Sequence, residues 1–86
     1  MQKILHIIKD LNDPTPIEIA KKQADKNEIG LLYIHDAVLG DLSSDFAKVY
    51  ILDADVRARN MNIEVETVDY NGMVQLLFEY DKVVSW

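Results

Sequence analysis

The sequence predicts an α/β fold of three layers, α/β/α, in which a mostly parallel sheet of about five strands carries helices on both faces. Two observations predict it. Compact apolar runs such as Ile4-Leu5-His6-Ile7-Ile8 and Ile29-Gly30-Leu31-Leu32-Tyr33-Ile34 read as strands covered on both sides. These runs alternate with segments of helical spacing, giving the order β-α-β-α-β-α-β-α-β, and such alternation implies right-handed crossovers between parallel strands.

The first strand is the run through Ile8, interrupted only by His6. Asn12-Asp13-Pro14-Thr15-Pro16 is then a loop, and Thr15 followed by Pro16 and by Glu18 predicts an N-cap, an N1 proline and a capping box. The helix opened there places Ile17, Ala20 and Ala24 on one face, sets Glu18 and Lys22 for an i,i+4 ion pair, and ends near Asn27. A second strand follows and stops at His35-Asp36. Residues 37–46, with Gly40, Asp41, Ser43 and Ser44, predict a short helical turn and loop before a third strand, Ala47 to Leu52. Asp53 is placed to cap a helix running to Arg59, with Asn60 in the left-handed position that usually takes glycine. Asn62 to Val68 alternates polar with apolar, the pattern of a strand with one wet face near a sheet edge. A last helix from about Asn71 to Asp81 carries Met73, Val74, Leu77, Phe78 and Tyr80 on a broad apolar side, and Val83-Val84 with Trp86 forms a short final strand.

With 49% hydrophobic and 28% charged residues, the 86 residues predict one globular domain, residues 1–86. A domain of this size buries only about two-thirds of the surface its unfolded chain exposes, so the high apolar share points to burial against a partner. The formal charge of −6 repels a phosphate backbone and argues against direct binding of nucleic acid. The opening apolar run is too short for a signal segment or a membrane span, which predicts a cytoplasmic protein with no membrane contact.

Parallel α/β sheets bind ligands beyond the carboxyl ends of their strands, and this rule puts Asp10, His35, Asp36 and Asp53 on the rim where a site would lie. We take His35, Asp36 and Asp53 as the candidate ligand-binding residues, against the simpler reading in which strand-end acids cap helices and make turns. Asp53 ending a central strand, with Asp10 as a metal-binding partner, also resembles the phosphoacceptor arrangement of receiver domains, but the chain is shorter than the usual receiver and has no lysine at the end of its last strand. His6 and His35 have no metal-ligand spacing, and His6 reads as a hydrogen-bonded core histidine. Among only three glycines there is no phosphate loop, and no serine sits in a nucleophile turn. Neither a metal nor another cofactor is expected. Asp53 with Arg57, and Asp55 with Arg59, stand four apart and predict ion pairs on the third helix. Trp86 reads as an interface anchor in preference to a sheet-edge cover.

Several segments in joint order are similar to the DsrH/TusB-like family of the DsrE/DsrF/DsrH-like superfamily, sulfur-relay subunits. They are Leu5-His6, Asp36-Ala37-Val38, Val49-Tyr50-Ile51-Leu52 with Asp55 and Ala58-Arg59, then Asp69-Tyr70, Val74, Leu76 and Trp86. Asn60 and Ala37 stand where the family often has glycine, and both are conformationally tolerable. The resemblance implies a DsrE/F/H-like fold and assembly with DsrE/TusD-like and DsrF/TusC-like subunits that pass persulfide sulfur, towards tRNA wobble-uridine 2-thiolation or in sulfur oxidation. Some members carry a cysteine in the first helix, roughly where Ile19 to Lys21 stand here. These 86 residues contain no cysteine, and a persulfide needs a thiolate. The expected role is therefore a non-catalytic subunit, not an enzyme, with Asp55, Arg59, Tyr70 and Trp86 at its interface. The competing expectation is a stand-alone, self-associating module that binds a small ligand and has lost the relay.

Overall fold

The computed structural model of the chain describes residues 1–42, 44–61 and 67–86. The apolar runs become β1 (Lys3–Ile8), β2 (Glu28–Tyr33) and β3 (Lys48–Leu52), joined by short β4 (Thr67–Val68) and β5 (Lys82–Ser85) in one five-stranded sheet of order β4-β3-β2-β1-β5. All four strand pairings are parallel. The helices are α1 (Thr15–Gln23), α2 (Asp53–Ala58) and α3 (Tyr70–Glu79), and a 3-10 turn spans His35–Leu39.

Strand side chains alternate between faces, and that alternation divides the core in two. Ile4 and Ile8 of β1, Ile29, Leu31 and Tyr33 of β2, and Ile51 of β3 pack with Ala20 of α1, Ala37 and Val38 of the 3-10 turn, and Val56 of α2. Leu5, Leu32 and Tyr50 face the other way and pack with Leu76 and Tyr80 of α3. The sheet is thus sandwiched by α1, the turn and α2 on one side and by α3 on the other. Strand order explains the division: β1, β2, β3 and β4 step in one direction, whereas α3 carries the chain back across the sheet to the far edge.

Three local expectations need correction. Thr15 does not cap α1: the N-cap is Pro14 with no side-chain cap bond, and the Thr15 amide donates to Asp13 Oδ1 at 3.0 Å, closing a turn one step earlier than the capping box requires. The α1 helix ends at Gln23, four residues short of Asn27, and among the described residues no Glu18–Lys22 ion pair is formed. The buried side of α3 is Leu76 and Tyr80, whereas Val74, Leu77 and Phe78 are exposed, Phe78 to 86%. That helix is apolar around most of its girth, so spacing alone does not select a face; the sheet does so through Gly30, over which the Tyr80 ring lies. A Cβ at residue 30 would stand 2.6 Å from Tyr80 Cζ.

Other expectations hold. Asn60 follows the C-cap of α2 with φ 51, in the left-handed region. His6 is buried and hydrogen-bonded at both ring nitrogens, to Gln23 Oε1 at 2.6 Å and to the Trp86 indole at 3.0 Å. Of the strand expected over Asn62 to Val68, Thr67–Val68 is present, pairing with Ile51 and Leu52, and residues 62–66 lie outside the described residues. Among the described residues no helix is long and apolar enough to cross a membrane.

Candidate functional site

The carboxyl ends of β2 and β3 open onto a charged cluster built by two short elements. β2 ends at Tyr33, and the chain turns at His35 through φ 51, a left-handed conformation that a non-glycine residue adopts at a cost of about 1 kcal/mol. The His35 amide donates to Asp55 Oδ2 at 2.8 Å, which fixes the turn against the first turn of α2. Asp53 and Asp55 both stand in that first turn, where the unpaired amides of the helix favour negative charge.

Arg59, at the C-cap of α2, folds its guanidinium back across the helix. Nη2 donates to Asp36 Oδ1 at 2.8 Å, while Nη1 donates to the Asp55 carbonyl at 3.2 Å and lies 3.5 Å from Asp55 Oδ1. One guanidinium therefore bridges the turn and the helix, leaving a net charge of about −1 on the three groups. The Asp36 side chain is 70% exposed against 24% for Arg59 and 14% for Asp55, so Asp55 is the inner, structural carboxylate and Asp36 the presented one. An exposed pair of this kind contributes at most about 1 kcal/mol. The His35 ring is exposed, with Nδ1 3.9 Å from Asp55 Oδ1, beyond hydrogen-bond reach.

The three residues expected to bind a ligand have different partners. His35 and Asp36 belong to the cluster with Asp55 and Arg59, whereas Asp53 turns to Arg57 Nε at 2.8 Å and to the Thr67 hydroxyl at 3.4 Å. Asp53 lines a shallow recess with Asp69 and Gly72, and the Asp69 carboxylate caps α3 by accepting from the Gly72 amide at 2.7 Å. Asp10 lies apart from both, in a cleft beside α1. No group of three or more His, Cys, Asp or Glu that could hold a metal ion occurs among the described residues.

Both expected ion pairs of α2 are present, Asp53–Arg57 at 2.8 Å and Asp55–Arg59 at 3.5 Å. Sequence spacing did not reveal the Asp36–Arg59 bridge, which joins residues 23 apart, or the His35 amide bond to Asp55. Tyr70 is 60% exposed at the head of α3. Trp86 is half-buried: its amide donates to the Ile7 carbonyl at 3.0 Å, its ring stacks on His6 with centroids 6.1 Å apart, and its indole N–H donates to His6 Nδ1. Because an indole only donates, Nδ1 accepts, and the His6 proton sits on Nε2 and points at Gln23 Oε1.

The arrangement holds charges and backbone in place. The family model described as a DsrH like protein matches residues 20–83, most of the chain, with β2, β3, β4 and the cluster just described. The chain belongs to the DsrH-like family. At the family level this makes it a sulfur-relay-related subunit. No curated protein matches the chain. The DsrH-like match begins at Ala20 inside α1 and ends at Val83 inside β5, so it takes in the cluster of His35, Asp36, Asp55 and Arg59 and leaves out Trp86 and all of β1.

Proposed function

We propose that the chain is a non-catalytic DsrH/TusB-like subunit of a cytoplasmic sulfur-relay complex, in which persulfide sulfur moves towards tRNA wobble-uridine 2-thiolation or through sulfur oxidation. The observation that carries the reading is membership of a DsrH-like family by 86 residues that contain no cysteine. Sulfane sulfur travels on a thiolate, and no other side chain substitutes for it. The transferring cysteine then belongs to a DsrE/TusD-like or DsrF/TusC-like partner, and this chain shapes the assembly around it.

Two structural features support association. The outer face of α3 exposes Tyr70, Val74, Leu77 and Phe78, spaced as one stripe, which an isolated small domain gains nothing by presenting to water. The Asp36–Arg59–Asp55 cluster gives a rigid, charged edge whose presented carboxylate, Asp36, can set register against a partner. Interface roles for Asp55, Arg59, Tyr70 and Trp86 belong to this proposal.

A sulfur-loading experiment tests the reading. A cysteine-bearing DsrE-like partner is charged with labelled persulfide and passed to an acceptor with and without this chain. The subunit role predicts faster transfer with the chain present and no label on the chain itself. Label covalently held by the chain, or transfer indifferent to it, would refute the proposal.

A further inference from the structure

Asn71 is followed by Gly72, whereas the other four asparagines precede residues that carry side chains, Asp13, Glu28, Met61 and Ile63. The difference is chemical. An asparagine side-chain amide is open to attack by the backbone nitrogen of the next residue, and a glycine there has no Cβ to obstruct the approach and the widest choice of backbone angles. Asn71 is also exposed, in the first turn of α3. Asn27, by contrast, is pinned at both ends of its side chain: Oδ1 accepts from the Gln2 amide at 3.1 Å and Nδ2 donates to the Gln23 carbonyl at 3.1 Å.

The geometry around Gly72 shows what restrains the reaction. Asp69, the N-cap of α3, accepts from the Gly72 amide at 2.7 Å, a length typical of charge-assisted bonds, and the Met73 amide donates to the Asp69 carbonyl at 2.9 Å. The nitrogen that would attack Asn71 is therefore held by Asp69 while the turn is closed. It is freed when the turn opens, and helix ends open more easily than any other part of a helix. Little burial opposes that opening: Tyr70 and Asn71 are exposed, and the first fully buried residue of α3 is Leu76.

We propose that Asn71 is a site of spontaneous deamidation and that the Asp69 cap on Gly72 controls its rate. In the open turn the Gly72 nitrogen gives its proton to solvent and bonds to Asn71 Cγ; the Cγ–Nδ2 bond breaks, and the departing nitrogen takes up a proton and leaves as ammonia. Water then opens the five-membered imide at one of its two carbonyls, and no oxidant or reductant takes part. Opening at one carbonyl leaves aspartate, and opening at the other leaves isoaspartate, in which the main chain runs through the side-chain carbon. Either product replaces a neutral amide with a carboxylate. Aspartate puts that charge where the free amides of the helix favour it and keeps the turn. Isoaspartate lengthens the main chain between Tyr70 and Gly72 by one carbon, so the cap no longer closes and Tyr70 shifts relative to Val74. The head of the exposed stripe on α3 thus changes as the chain ages, whether or not the chain serves a sulfur relay.

The test is to incubate the purified chain in mildly alkaline buffer at physiological temperature, following it by peptide mass mapping and by enzymatic methylation of isoaspartyl residues. A one-dalton gain at residue 71 is expected ahead of every other asparagine, with isoaspartate among the products, and Asn71→Gln should abolish the isoaspartyl signal. Asp69→Ala removes the cap and should raise the rate about fivefold, and Asp69→Ser, which restores a capping oxygen, should return most of the protection. Trp86→Phe weakens the fold away from α3 and should leave the rate unchanged, because opening one turn does not require global unfolding. Modification that favours another asparagine, an Asp69→Ala rate equal to the parent's, or a Trp86→Phe rate raised as far as that of Asp69→Ala would overturn the proposal. None of these outcomes bears on the sulfur-loading experiment.

Discussion

Replacing Gly30 by alanine tests the packing that fixes α3 on its face of the sheet. The added Cβ would stand 2.6 Å from Tyr80 Cζ and 3.0 Å from Cε1, inside the distances that real Cβ atoms show. Tyr80 has little freedom to retreat: it is 8% exposed, its hydroxyl lies 3.4 Å from that of Tyr50, and the Lys3 ammonium sits over its ring. Overpacking of this kind costs about 1–3 kcal/mol, against a gain of about 0.5–1 kcal/mol from replacing a strand glycine. A net loss of about 1–2 kcal/mol lowers Tm by about 10 °C in a domain of this size, readable by thermal or denaturant unfolding. The background decides the cause. Tyr80→Phe should not relieve the penalty, because Cζ remains, whereas in a Tyr80→Leu background Gly30→Ala should be neutral or stabilising. A Gly30→Ala variant as stable as the parent, or a penalty that persists unchanged beside Leu, would refute the account of why α3 buries Leu76 and Tyr80 and exposes Phe78.

Trp86→Phe keeps the ring stack on His6 but removes the indole donor to Nδ1, which has no other donor among the described residues; a loss of about 1–2 kcal/mol in urea unfolding is expected, and none would mean that the indole bond is not made in solution. Burial, the Tyr50 hydroxyl bond and nearby charges raise the Tyr80 pKa above 10.0, as burial and Asp41 do for Tyr33. A raised phenol pKa means that the folded state holds its proton more tightly, so the stability from these groups is intact below about pH 10 and is lost as pH rises above it; Tyr80→Phe should flatten that decline, and an unchanged slope would contradict the assignment. Ala20 is fully buried and Ile19 37% exposed, so in the native state a thiol reagent should modify an Ile19→Cys variant rapidly and an Ala20→Cys variant slowly, and equal rates would show that α1 is not seated as described. Phe78→Ser should leave Tm unchanged, since the ring is 86% exposed, while a weakened complex with a partner would place the α3 stripe in the interface.

The sheet was legible in the sequence because β1, β2 and β3 are buried on both faces, and continuous apolar runs such as Ile29 to Ile34 report that directly. The α2 region was legible because its pairs are local: Asp53–Arg57 and Asp55–Arg59 follow from helical spacing, and Asn60 is among the residues that tolerate the left-handed turn. The start of α1 was misread because Asp13, two residues before Thr15, competes for the same amide, and a capping pattern does not say which oxygen wins. The buried face of α3 was misread because Val74, Leu77 and Phe78 are as apolar as Leu76, and the discriminating element, the gap above Gly30, lies on a strand forty and more residues away. Long-range placement also hid what the candidate sites are made of. Asp36 meets Arg59 only because β2 and β3 are neighbours, and Asp53 turns away from both.

The central claim, a structural subunit whose sulfur-carrying cysteine lies on another polypeptide, is tested most directly by light scattering. The mass of the purified chain is measured alone and mixed with a cysteine-bearing DsrE-like protein from the same genome. The account predicts a mixed complex of defined stoichiometry. A chain whose mass is the same in both measurements, as a homo-oligomer that ignores the partner, would contradict it.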